Sequence, residues 1–262
     1  MNRDVWKAEF RKEDTLLWAC PRCAVSRLRV RKQSLCEGET RESRANHHHD
    51  GWEPEWIDGR FSCLMECPHC RGNISVAGRY RVQDDRYHDP EHGVGGDYAS
   101  YYRPHYFSES PLIIDIPQET PLEVTGELEI AFRLFWGDSW ACANRIRSSV
   151  EALLTAQRIP RTSGRIPAKG KRHFLTLHDR LLRFGKKQPA LSDALMAAKW
   201  LGNAGSHAAP LTPDDVLDGF EIVEHALDKL YSNREKRVGS LSRAINRRKA
   251  PRSPRRSSRP GA

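Results

Sequence analysis

Two short motifs, Cys20-Pro-Arg-Cys23 and Cys67-Pro-His-Cys70, set the tightest limit on how this chain can fold. Each can present two thiolates from one tight turn. Two such turns complete a closed four-sulfur site for a structural Zn²⁺, with Zn–S distances of about 2.3 Å. The competing reading is a set of free or redox-active thiols. The chain has seven cysteines, an odd number, and its first twenty residues mix charges throughout with no apolar stretch of the kind that directs secretion. This usage favours metal binding in a reducing, cytoplasmic compartment over a disulfide scaffold. No run of residues approaches the length of a membrane span, so no membrane partner is expected.

The two pairs are separated by 43 residues, more than a minimal zinc ribbon needs. A polar insert therefore sits between them, over about residues 35–60, and its stretch from Leu35 to Trp56 reads as a loop. Cys36 and the run His47-His48-His49-Asp50 lie in it without helical or strand context, which argues against a second ligand set. Cys63 is a nearer rival, but the paired motifs meet the metal's requirement better. Leu28 and Val30 before the second pair, and Ile74, Val76, Tyr80 and Val82 after it, alternate with polar residues as short strands do. Residues 1–82 are thus expected to form a small zinc-ribbon-like module that needs its metal to fold.

Residues 83–119 are expected to be an extended linker. Gln83 to Glu109 shows no period, and the segment SPLIIDIPQETP is held extended by its prolines. Tyr101, Tyr102, Tyr106 and Phe107 could stack on bases, although anchoring to a neighbouring core is the commoner use of such residues.

From Thr120 the period becomes helical. Thr120 with Glu123 predicts a capping box opening a helix marked by Val124, Leu128, Ala131 and Phe135. A second helix carries Cys142, Ile146, Val150 and Leu153, with Arg147 and Glu151 four apart as an ordinary intrahelical ion pair. A basic loop over Gln157 to Arg172 follows. A third helix carries Phe174, Leu177, Leu181 and Phe184, and a fourth runs from about Leu191 to Leu201. The fifth is announced by Thr212-Pro213-Asp214-Asp215 and striped by Val216, Phe220, Val223, Leu227 and Leu230. The predicted fold class is mainly α: an antiparallel helical bundle over 120–231, with the small β module before it and a disordered tail over 232–262.

Between the fourth and fifth helices lies KWLGNAGSH, Lys199 to His207. Glycine and asparagine suit a helix stop. Asn203 and His207, four apart, would also share one helical face and could place a proton donor beside a phosphate.

The net charge of +9 is unevenly distributed. From Ser232 to Ala262 eleven Lys or Arg face one acidic residue, a surplus of +10, so the other 231 residues sum to about −1. The tail, rich in Pro, Ser and Arg, is predicted to be disordered and able to neutralise nucleic-acid phosphates.

The order of these signals, from the apolar run ending in proline through RIRSSVEALL, LHDRL and LGNAGSH to the TPDD-capped helix, resembles a bacterial family of unknown function. That family is assigned to the HEPN-like helical superfamily and is also found attached to type I restriction subunits. The resemblance covers about Pro111 to Tyr231. It carries the family's Arg-x-x-x-Glu pair onto Arg147 and Glu151, and its Gly-Asn-x-x-x-His signature onto Gly202, Asn203 and His207. Similar members also carry an amino-terminal zinc-binding segment. Active members of the wider superfamily are metal-independent RNA endonucleases that use an arginine and a histidine, usually across a dimer interface. That implies a homodimer through the bundle and RNA as a partner, held by the tail and a polar cleft. This chain departs from the pattern: Gly202 stands where arginine would precede the asparagine, Lys199 occupies the upstream arginine position, and its distance from His207 exceeds the usual spacing.

Two functions follow. In the first, the chain is a zinc-containing, nucleic-acid-associated binding or assembly protein, serving bacterial defence or nucleic-acid metabolism. In the second it is an RNA endonuclease in which His207 exchanges a proton with the ribose 2′-hydroxyl while Arg147 or Lys199 holds the scissile phosphate.

Overall fold

The structure is a computed structural model, and it describes residues 1–89, 93–163, 173–203, 210–232 and 234–249. It corrects the predicted fold class. Of the described residues 45% are helical and 19% are in strands, and a curled antiparallel sheet forms a half-barrel beside the helices, so the fold is not a mainly helical bundle.

The amino-terminal part runs α1 (Asp4–Lys7), β1 (Arg29–Val30), β2 (Cys36–Glu39), α2 (Arg41–Asn46), a 3₁₀ turn (Pro54–Trp56), β3 (Asp58–Glu66), β4 (Asn73–Asp84), β5 (Tyr87–Asp89), β6 (Gly93–Gly95) and β7 (Tyr98–Phe107). The main sheet has the order β1-β3-β4-β7, with β2 also paired to β3, and β5 and β6 form a separate hairpin. Strict alternation drives β3 and β4: Phe61, Cys63 and Met65, then Ile74, Val76 and Tyr80, turn inward while their neighbours face out.

Within the linker expected over 83–119 lies a strand of the main sheet instead, because β7 joins β4 along nearly its whole length. Its period is broken by a bulge. Gly78 faces Pro104 and Ala77 faces Tyr106, which leaves His105 as the extra residue and lets the sheet curl. A Cβ on Gly78 would stand 2.1 Å from the Arg103 carbonyl oxygen, so only glycine permits this approach.

The polar insert is not a loop. Here β2 extends the sheet, and Thr40 caps α2 by accepting the Ser43 N–H at 3.2 Å. His47 approaches Glu39 at 2.9 Å and its ring lies against Trp52, while the His49 ring lies against Trp56. Two of the three histidines are thereby engaged in packing the insert.

The second part consists of α3 (Leu122–Leu134), α4 (Ser139–Ala156), α5 (Leu177–Gly185), α6 (Pro189–Asn203), α7 (Pro213–Tyr231) and α8 (Arg234–Arg248). Phe132, Ile146, Leu153, Leu181, Leu195 and Phe220 are buried at the centre of its core. Capping boxes open α5 and α7, from Thr176 with Asp179 and Thr212 with Asp215. The box expected at Thr120 does not form. Pro121 is itself the cap residue, which leaves the apolar Val124 at the position the acid would need, and the Thr120 hydroxyl is buried without a partner. Phe174 precedes its helix and is 75% exposed.

The tail expected to be disordered from 232 is helical over α8. Its sequence, REKRVGSLSRAINRR, is rich in helix formers and contains no proline, whereas the prolines begin at Pro251. Residues 250–262 lie outside the described residues.

A seam of aromatic rings joins the two parts. Trp136 lies against Phe107 and Trp18 with ring centroids 4.6 and 5.3 Å away, and against Trp6 from the amino-terminal segment. Its indole N–H donates to the Ser110 hydroxyl at 2.9 Å, which in turn donates to the Phe132 carbonyl. Arg3 adds ion pairs to Asp218 and Glu221 on α7 at 2.6 and 2.5 Å. The described helices include none long and apolar enough to cross a membrane.

Candidate metal centre and helical site

Both cysteine pairs adopt the same backbone turn. In each, the fourth residue after the first cysteine takes a left-handed conformation, Ala24 at φ 53° and Arg71 at φ 60°. Their N–H groups donate back to the Cys20 and Cys67 carbonyls, each at 2.9 Å. These turns bring Cys20, Cys23, Cys67 and Cys70 together with all four sulfurs within 4.8 Å of one another. The closest approaches across the pairs are 3.7 Å for Cys20 with Cys70 and 3.6 Å for Cys23 with Cys67. A tetrahedron with Zn–S bonds of about 2.3 Å has edges of about 3.8 Å, so the donor set fits a metal ion of this size.

Local amides prepare the sulfurs for that role. The Cys70 N–H, followed by the His69 N–H, holds the Cys67 thiol down to about 7, and the Val25 N–H lowers Cys23. Burial acts the other way on Cys20, which is pushed up to about 12. A bound cation would draw its proton off as well. Cys63 points into the sheet core, where burial raises its thiol to about 11, and Cys36 is exposed on β2. Neither belongs to the cluster.

On the helical side the residues predicted as a site fall into three groups. Arg147 and Glu151 pair on α4 at 2.8 Å, with both side chains about one-third exposed. Gly202 in the last turn of α6 packs directly on the Arg147 side chain, so the α4–α6 crossing brings the two motifs together. The Arg147 Nε is buried there without a hydrogen-bond partner. Asn203 is the final residue of α6 and half-buried. Lys199 is only 8% exposed, and its ammonium lies over the Trp200 ring at 3.4 Å. His207 lies outside the described residues.

Sequence reasoning missed Arg180 on α5, which is 3% exposed. Its guanidinium donates to the Glu151 carbonyl at 3.2 Å, the Thr155 hydroxyl at 2.9 Å and the Ile159 carbonyl at 3.3 Å. It therefore closes the carboxyl end of α4, where orphan carbonyls and the helix dipole favour a cation. The available signal was its position. Leu177, Arg180, Leu181 and Phe184 make one helical stripe, and a charge on an apolar stripe has a buried partner to satisfy.

Fold and site together define a two-part protein, a half-barrel sheet clasped by a four-cysteine centre and a helical unit packed against it through Trp136. Residues 8–107 match a family described as a domain of unknown function, DUF8608. Residues 129–248 match a second domain of unknown function, DUF4145. No curated protein and no solved structure matches the chain. The second match runs from within α3 to the end of α8, so the basic helix belongs to the same matched stretch as the helical core.

Proposed function

We propose that this chain is a zinc-stapled protein that binds nucleic acid, RNA in particular, through the basic helix α8. The observation that carries this reading is the condition of α8 itself. Arg237, Arg243, Arg247 and Arg248 are exposed on it, and among the described residues none of them pairs with a carboxylate. A helix with this much unneutralised charge and so little packing is stabilised by a polyanion that releases counterions as it binds. Zinc is the ion of choice for the sheet module because four thiolates with no open position make a structural site. RNA is favoured over DNA by the resemblance of the RIRSSVEALL, LHDRL and LGNAGSH segments to a family whose wider superfamily includes RNA endonucleases.

Fluorescence anisotropy with a labelled single-stranded RNA tests this directly. The full chain should bind with a steep salt dependence. The variant carrying Arg243→Gln, Arg247→Gln and Arg248→Gln should bind about tenfold more weakly and lose about 2 from the slope of log K against log salt. Equal binding by both proteins rejects the reading.

A second reading, metal-independent RNA cleavage, draws support from Arg147. Its side chain, whose Nε is buried without a partner, packs through Cβ and Cδ on Gly202, five residues before His207. In this reading Arg147 holds the phosphate and His207 moves the proton at the 2′-hydroxyl. Lys199, folded over Trp200, is the weaker candidate for the phosphate. Cleavage of mixed RNA in EDTA that disappears in His207→Ala would support it, and equal, negligible cleavage by both proteins would dismiss it.

A further inference from the structure

The outer face of the half-barrel carries a row of arginines that the net charge of the body conceals. Arg60 on β3 stands opposite Arg79 on β4, and Arg79 stands opposite Arg103 on β7. Like charges placed directly across a sheet oppose its pairing. The neighbouring rung, Asp58–Arg81–Tyr101, shows how this sheet neutralises itself elsewhere. There Glu9 meets Arg81 at 2.8 Å, and Asp85 accepts from the Tyr101 hydroxyl at 3.2 Å. The arginine rung has no such relief beyond Asp58, which lies 3.4 Å from Arg60. Among the described residues the side chains of Arg79 and Arg103 have no hydrogen-bond or ion-pair partner.

The rung opens into a cleft of about 310 Å³ between β7 and the helical unit. Arg79, Arg103 and His105 line one side, with Ser139, the first residue of α4, and Pro213, the first of α7, on the other. His105 reaches this space because it is the extra residue of the bulge. Partial burial, and then the charges of Arg79, Arg103 and Arg60, lower its pKa, which places all three guanidiniums within electrostatic reach of its ring. The acids at the two helix starts are already engaged: Asp138 accepts the Ala141 N–H at 2.9 Å, and Asp214 pairs with Lys7 at 3.0 Å.

We propose that the Arg60–Arg79–Arg103 rung and the cleft beside His105 form a second nucleic-acid contact, which binds the phosphodiester backbone of a single RNA strand. Three guanidiniums spread over two strand spacings span about 10 Å, a shape suited to a linear polyanion. Arginine's planar fork matches phosphate oxygens in a way a lysine cannot. The contact rests on the nucleic-acid reading above and extends it from α8 to the sheet module.

The test uses full-length, metal-loaded protein in two arms. In the first, labelled single-stranded RNA is titrated into wild type and into the Arg79→Gln/Arg103→Gln double variant. The expected result is a loss of about tenfold in affinity and a salt slope shallower by about 1. RNA binding that is unchanged in the double variant overturns the sheet contact and leaves the α8 reading standing. In the second arm, pyrophosphate alone is titrated into wild type while the His105 ring resonances are followed by NMR. A saturable shift supports the site even if RNA binding by α8 fails. The absence of any shift, together with no RNA binding, overturns both, and the wild-type measurement decides the matter if the double variant does not fold.

Discussion

Gly202 and Arg147 are packed so closely that a Cβ on the glycine would stand 2.5 Å from the Arg147 Cβ and 2.9 Å from the Ala143 carbonyl oxygen. The glycine that stands where active members of the wider superfamily would carry arginine is thus required by the close crossing of α6 on α4. Gly202→Ala should open that crossing and cost about 1–3 kcal/mol in urea unfolding. Gly126→Ala, in α3 with nothing within 4 Å of its added Cβ, should instead stabilise the protein by about 0.5–1 kcal/mol. Equal effects from the two changes would refute the packing argument.

Arg180 ties α5 to the end of α4 through three acceptors, with little access to solvent. Arg180→Leu should remove three hydrogen bonds at once and leave the Ile159 carbonyl without this donor, while the Glu151 carbonyl keeps the Thr155 hydroxyl, and lower stability by about 1–3 kcal/mol. Arg180→Lys should recover part of this, since lysine keeps the charge and loses the fork. Chemical denaturation of both variants checks the order, which fails if the lysine variant is the less stable.

The four-cysteine centre makes a selective prediction about metal. Cys67→Ser should abolish stoichiometric zinc and unfold the sheet module, while Cys63→Ser and Cys36→Ser should keep the metal, because neither joins the cluster. Zinc in the wild type should be lost as pH falls, since protons compete for the thiolates. Metal analysis and far-ultraviolet dichroism read both effects. Zinc retained by Cys67→Ser would remove that residue from the ligand set.

Acid should loosen the helical unit in a way traceable to two caps. The Thr176 hydroxyl, and then its N–H, lower the Asp179 pKa, and Thr212 does the same for Asp215. A carboxylate whose folded pKa lies below its unfolded value contributes stability that is complete above the unfolded pKa, about 4, and that fades as pH falls through the folded one. An Asp179→Asn/Asp215→Asn variant should therefore show a flatter dependence of stability on pH below about 4. A profile parallel to that of wild type would show that the caps do not titrate.

The legible parts of this chain are those whose chemistry is local. Cys20, Cys23, Cys67 and Cys70 announce a metal site through spacing alone, and Thr212-Pro213-Asp214-Asp215 announces α7 through capping. What escaped depends on distant partners. The half-barrel needs β7 to meet β4, and the bulge at His105 erases the alternation by which β7 would be recognised. In the insert, the exposed Cys36–Glu39 strand has no apolar face to read, and its order comes from pairing with β3. Arginine-rich composition hid α8, and a cross-strand rung of arginines is invisible until the register is known. Gly202 reads as a helix stop in sequence and becomes a contact only when α4 lies beneath it.

The central claim is that one chain holds one zinc and binds RNA. Native mass spectrometry of the full-length protein mixed with an equimolar RNA oligonucleotide measures both together. The account predicts a dominant species carrying one zinc ion and one RNA strand, whose RNA is released as ionic strength rises while the zinc stays. A metal-free chain with no RNA adduct would contradict it.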